Sequence, residues 1–199
     1  MQVAVVFARH FAEYKRANLI LRDIERLKHI SNGHLQLVYS GKAHPQDDPG
    51  KNLIKSIYDT LPFLDGKVKV IFLPDYSIRT GKILTAGCDI WLNTPRRPVE
   101  ACGTSGMKAF HNGVPHFSTH DGWWREVQGG GWTIGPLDGI PDDKQDAIDL
   151  YNKLEHGIMP LFHGDQQEFA RVMREAIVNA GYFNTHRMVQ EYKERAWRI

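Results

Sequence analysis

The chain has 199 residues, 42% hydrophobic and 24% charged, with a formal net charge of +2. That composition suits one substantial folded domain and excludes a disordered chain. The basic residues are interleaved with acids, as in "RDIERLKH" and "EYKERAWR", so charge gives no reason to invoke nucleic acid. No apolar run approaches the roughly 20 residues of a bilayer span, and Cys88 and Cys102 are too few for a disulfide framework, which makes a reducing cytoplasm the expected compartment.

In chain order, "VAVVF" (Val3–Phe7) is a near-continuous apolar run and predicts a strand buried on both faces. It begins at once, without a signal-peptide pattern, as if the chain continued from something longer. "YKRANLILRDIERLKHI" (14–30) sets Ala17, Ile20, Leu21, Ile24, Leu27 and Ile30 at helical spacing and predicts one helix. "LQLVYSG" reads as a strand, "GKNLIKSIYDTLPFL" as a helix, "KVKVIFLPDY" as a strand and "IRTGKILTAG" as a short helix. "CDIWLNT" is a fourth strand, "TSGMKAFHNG" opens a helix, and "PHFST" and "GWTIG" are two short strands. From Asp142 onward "KQDAIDLYNKLEHGIMPLF", "QQEFARVMREAIVNA" and "THRMVQEYKERAW" all read as helix.

Repeated strand-then-helix units predict an α/β fold, a parallel sheet with helices on both faces and a helical tail. Ligands in such sheets sit at the carboxyl ends of the strands. The loops there carry Arg9, Lys15 and Arg16 after the first strand, Lys42 after the second and Tyr76 after the third. After the fourth comes "EACGTSGMKAFHNG" (Glu100–Gly113). A single surface Lys or Arg is usually a solvated charge, but Arg9, Lys15, Lys42 and Lys108 beside a glycine-rich helix start suit a phosphate group. Gly103 and Gly106 permit close backbone approach or positive φ, yet the stretch fits neither the P-loop nor the dinucleotide fingerprint. A glycine turn tightening a strand-to-helix corner explains the same letters, and the pattern leaves both readings open. His111, His116 and His120 invite a metal, but Pro115 and the strand-like "PHFST" break a shared helical face, so no metal site is expected. Trp123 and Trp124 suit either a sugar platform or the core.

"WLNTPRRPVEACGTSGMKAFHNG" followed by "STHDGWW", with "FARHFAEYKRANLI", "VYSGKAHP" and "VIFLPDY" in the same order, resembles the α-glucan (glycogen, starch, maltodextrin) phosphorylases. The likeness is nearest to the shorter bacterial and archaeal type and runs from residue 1 to about residue 135. Members have two facing Rossmann-like lobes, the GT-B arrangement of glycosyltransferases. The resemblance implies that this chain is the C-terminal lobe. Residues 1–180 form its catalytic Rossmann-like part, and the helix in 181–199 docks on the missing N-terminal lobe or pairs with another copy in a homo-oligomer.

The implied activity is reversible, retaining transfer of glucose between an α-1,4-glucan end and phosphate, releasing glucose 1-phosphate, with the lobe inactive alone. The implied cofactor is pyridoxal 5′-phosphate, held as a Schiff base and assisting catalysis through its phosphate. Carried over by position, Lys108 holds the cofactor, Tyr76 lines it, and Gly103, Thr104 and Ser105 form the turn beside it. Arg9 and Lys15 hold the phosphates, and Glu100 binds a hydroxyl of the transferred glucose. Lys42, Cys102 and Asp121 fall on the substrate side. The chain departs from the family in having Ala8-Arg9 where animal-type enzymes have Lys-Arg, one extra residue between Arg9 and Lys15, and Cys102 where serine is usual. The longer spacing resembles nucleotide-sugar glycogen synthases, which have no pyridoxal phosphate. A lobe of such a transferase and a non-catalytic glucan-binding module are therefore the alternative readings.

Overall fold

The computed structural model describes residues 1–138 and 140–197. Six parallel strands form one sheet: β1 (Val3–Ala8), β2 (Leu35–Ser40), β3 (Val68–Leu73), β4 (Ile90–Asn93), β5 (His116–Thr119) and β6 (Gly131–Ile134). Their order is β3-β2-β1-β4-β5-β6, so β1 and β4 are neighbours at the point where the winding reverses. In an open parallel sheet that point leaves a crevice beyond the strand ends. The expected parallel α/β sheet is thus present, strand by strand.

The inner strands β1, β2, β4 and β5 are buried on both sides, whereas the edge strands β3 and β6 are half-buried, with Lys69 of β3 exposed. Val3, Val5 and Phe7 face one core with Leu35, Leu37 and Tyr39; Val6 and Ala8 face the other with Trp91, Leu84 and Ala109. The helices α1 (Ile24–Ser31), α2 (Asp48–Thr60) and α5 (Asp143–Lys153) contribute to the first core through Leu27, Leu53, Ile57 and Leu150. The helices α3 (Ile78–Gly87) and α4 (Thr104–His111) cover the second. Each fully buried Leu, Ile or Phe contributes about 1.5–3 kcal/mol. A π-helical turn (Leu154–Ile158) leads from α5 into α6 (Met159–Gly164), followed by α7 (Gln166–Ala180) and α8 (Thr185–Tyr192).

The helix expected over 14–30 is not one element. Two single 3-10 turns, Glu13–Lys15 and Leu19–Leu21, precede α1, which starts only at Ile24. Arg16 closes the first turn in the left-handed region (φ 45, ψ 48), which no continuous helix tolerates. The Asp23 carboxylate then accepts from the Arg26 N–H, a cap that fixes the true start. Ala17, Leu19, Ile20 and Leu21 are nonetheless buried, so the apolar spacing reported the core-facing side correctly and the backbone type wrongly.

Trp123 and Trp124 belong to the core, at 4% and 3% exposed, against Phe110, Phe183 and the buried His116. Their burial removes the exposed-platform reading. The three histidines that invited a metal go separate ways: His111 Nε2 bonds the Phe183 carbonyl, His120 Nδ1 the Leu137 carbonyl, and His116 lies under α4. The apolar side of α8 (Met188, Val189, Tyr192) is exposed.

Candidate active site

Arg9 leaves the end of β1 and Glu100 lies in the segment between β4 and α4, so adjacent strands deliver both to one place. Arg9 Nη2 donates to Glu100 Oε2 at 2.6 Å, and Lys15 Nζ reaches the same oxygen at 3.1 Å. All three are buried, which makes this a desolvated charge cluster with one carboxylate for two cations. The Arg9 Nε and Nη1 groups are buried with no acceptor. Burial lowers the Arg9 pKa while Glu100 opposes that shift. Unpaired guanidinium N–H groups are costly to bury, and an anion is the partner that satisfies them.

The backbone supports this cluster from behind. Asp121, 4% exposed, accepts from the Glu100 N–H through Oδ2 and from the Gly122 N–H through Oδ1, each at 2.9 Å. Gly103 has φ 83 and caps α4; a Cβ there would stand 3.5 Å from Arg9 Nη2, so the turn lies against the charge cluster. The amide groups opening α4 have no side-chain cap, as a site for a bound anion requires.

The other expected site residues divide between two hollows. Tyr76, Ser105 and Lys108 line a cleft of ≈ 620 Å³ between α3 and α4, together with Lys82, Thr85 and His111. Lys108 is exposed there, not desolvated. Cys102 and Thr104 instead line a groove of ≈ 340 Å³ with Trp123, Arg187 and Met188 of α8. Lys42 joins neither: it is exposed, with Nζ 3.5 Å from Asp75. Asp121 turns to the backbone, its carboxylate accepting from the Glu100 and Gly122 N–H groups.

Sequence reading missed Arg97, Asp143 and Asp146, which tie the β1 and β4 loops together with Arg16. A signal was present, because Asp146 falls one residue from Ala147 and four from Leu150 on the buried side of α5. It singled out His116 only as a metal candidate; the ring nitrogens of His116 are both buried without partners, and its pKa is lowered to about 3 by burial, with Arg9 adding to the shift.

The carbohydrate phosphorylase family model matches residues 3–129. A maltodextrin phosphorylase of Thermococcus litoralis is 43% identical over 199 residues, covering 95% of this chain and 24% of that protein. A glycogen phosphorylase of Aquifex aeolicus is 39% identical over 202 residues, covering 96% of this chain and 29% of that protein. One of Mycobacterium tuberculosis is 38% identical over 207 residues, with 96% and 24% covered. The chain thus spans about a quarter of the length of these relatives. With the matched residues carrying β1, β4, α4 and the charge cluster between them, the chain belongs to the carbohydrate phosphorylase family.

Proposed function

We propose that this chain is the cofactor-bearing C-terminal lobe of a glucan phosphorylase, acting on α-1,4-glucan ends and phosphate to give glucose 1-phosphate with retention. The observation that carries the reading is Arg9, which holds Glu100 through Nη2 while two further buried nitrogens, Nε and Nη1, stay without an acceptor. Those N–H groups and Lys15 fit a phosphate, and Glu100 beside them fits a sugar hydroxyl. Hydrogen bonds from that hydroxyl to a carboxylate strengthen as positive charge develops at the sugar carbon, so Glu100 favours the transition state over the bound sugar.

The chain also fits pyridoxal 5′-phosphate. The α3–α4 cleft presents Lys108 as the amine and Tyr76 as a ring neighbour, with Ser105 at the start of α4. When bound, the cofactor supplies a phosphate group that assists at the substrate phosphate. Arg9 and Lys15 keep the two anions from repelling one another, and the α4 amides add fixed donors. The remaining half of the cleft comes from an N-terminal lobe, on which the exposed face of α8, within residues 181–199, docks. Cys88 and Cys102 are free thiols, among the described residues no helix is long and apolar enough to cross a membrane, and a reducing cytoplasm suits both.

The test is to incubate the chain with pyridoxal 5′-phosphate, reduce with borohydride and locate the added mass by peptide mass spectrometry. Label confined to Lys108 supports the reading. A chimera in which this chain replaces the matching segment of the Thermococcus litoralis enzyme should release glucose 1-phosphate from maltodextrin and phosphate. An inactive chimera, with a nucleoside diphosphate bound in place of the cofactor, overturns the proposal in favour of a nucleotide-sugar transferase; glucan binding without cofactor uptake favours a binding module.

A further inference from the structure

Arg16 follows Lys15 and points the opposite way. Its left-handed backbone sends a guanidinium that is 4% exposed beneath the loops, where Nε donates to the Thr94 carbonyl at 2.9 Å. Nη2 donates to the Pro95 carbonyl at 3.0 Å and to Asp146 Oδ2 at 2.8 Å, and Nη1 donates to Asp143 Oδ1 at 2.8 Å. Arg97, three residues before Glu100, approaches the other Asp146 oxygen, Oδ1, at 3.5 Å and donates to the Pro136 carbonyl. Asp146 is fully buried in α5, so one carboxylate touches an arginine from each of the two loops that carry the charge cluster. Residue 135 must be glycine for this seat, because its φ is 74 and a Cβ there would lie 2.1 Å from Asp146 Oδ1.

We propose that Asp146 is a positioning residue that sets the Lys15–Glu100 distance by clipping the β1 loop to the β4 loop. The proposal deepens the phosphorylase reading and rests on it only for the catalytic consequence, since the geometry itself is measurable in the chain. A buried ion pair is weak grounds for stability alone, as apolar residues often fill such a site as well or better. Direction is what the carboxylate adds: it fixes two planar forks at once. The backbones agree, with the Arg96 N–H donating to the Tyr14 carbonyl at 2.6 Å and Thr94 Oγ1 3.0 Å from both the Lys15 and Arg16 carbonyls. As an anion enters, Lys15 and Arg9 must share themselves between it and Glu100. The clip holds both loop backbones still while those side chains exchange partners.

Asp146→Asn keeps the shape and removes the charge. In the native chain, the acetylation rate of each lysine is read by mass spectrometry beside a thermal melt. Lys15 acetylation should rise roughly tenfold or more as the pair loosens, with Lys42 and Lys108 unchanged and a cooperative melt retained. An unchanged Lys15 rate in the folded variant overturns the proposal, and so does a rise spread over all lysines, which marks general loosening. Arg97→Gln leaves Asp146 paired with Arg16 and decides the matter by the same Lys15 criterion if Asp146→Asn does not fold. A selective Lys15 effect, beside a chimera that releases no glucose 1-phosphate and binds a nucleoside diphosphate, upholds the clip and removes the phosphorylase reading. Lys108 capture with Lys15 indifferent to Asp146 does the reverse.

Discussion

Arg9 binds Glu100 through Nη2 at 2.6 Å and keeps Nε and Nη1 buried without acceptors. The pair is therefore unbalanced by design of its geometry: the carboxylate satisfies one edge of the fork and is shared with Lys15. Folding places more buried donor capacity here than the protein itself accepts, and that excess is a measurable property of the lobe.

Glu100→Gln should destabilise the chain by about 3 kcal/mol, because two buried cations lose their only shared countercharge. Phosphate should return much of that loss, up to about 2.7 kcal/mol at a concentration 100 times its dissociation constant. Thermal melts with and without phosphate check this. The expected outcome is a larger phosphate-induced rise in Tm for the variant than for the parent; equal shifts would place phosphate away from Arg9 and Lys15.

His116 gives a pH signature. Burial, with Arg9 adding to it, lowers its pKa from 6.5 to about 3, so the native ring stays neutral where the unfolded chain takes a proton. The stability this group contributes is complete above pH 6.5 and falls by about 1.4 kcal/mol per pH unit as pH drops toward 3. Urea unfolding at about pH 7 and about pH 5 should show the parent losing about 2 kcal/mol more than His116→Asn. Parallel losses in the two proteins would refute the assignment.

Gly106 lies against that same ring: a Cβ there would stand 2.5 Å from His116 Cε1. Gly106→Ala should cost about 1–3 kcal/mol by overpacking, even though alanine suits a helix better by about 1 kcal/mol. Because α4 must shift outward, pyridoxal phosphate capture at Lys108 should fall with it. A neutral or stabilising effect in denaturant titrations would mean the ring moves aside freely.

The two thiols should differ sharply toward iodoacetamide. Burial, with Asp89 adding to it, pushes Cys88 up to about 12, whereas Cys102 is partly exposed on the α8 groove. Burial beside Glu100 raises the Cys102 pKa too, so its alkylation is slow near neutrality and quickens in mild base. Mass spectrometry of the native chain should find Cys102 modified and Cys88 untouched until denaturant is added.

The strands were legible in the sequence because each is a short segment rich in β-branched or aromatic residues, and β1 through β6 all fall within the segments that read as strands. The split of 14–30 into turns was not, because it depends on Arg16 finding Thr94, Pro95 and Asp146, up to 130 residues away. Arg9, Lys15 and Glu100 were legible through motif order, and topology brings them together. The division of Thr104 and Lys108 between two hollows was not, since both sit on one helix and only its packing against α3 and α8 separates them. Whether Trp123 and Trp124 were core or surface also waited on tertiary contacts, here with Phe110 and Phe183.

Val5 pairs with Ile90 across the middle of the sheet, although β2 and β3 intervene along the chain. During synthesis, β1, β2 and β3 can join through crossovers between chain neighbours before β4 has emerged, while the β1–β4 seam needs a much longer loop to close. The charge cluster straddles that seam. A growing polypeptide can therefore complete its ligand-capturing surface only after the β1–β2 and β2–β3 pairings can form, because the β1–β4 seam closes the longest loop between any two paired strands. Ligand occupancy thus reports on the joint between the two halves of the sheet.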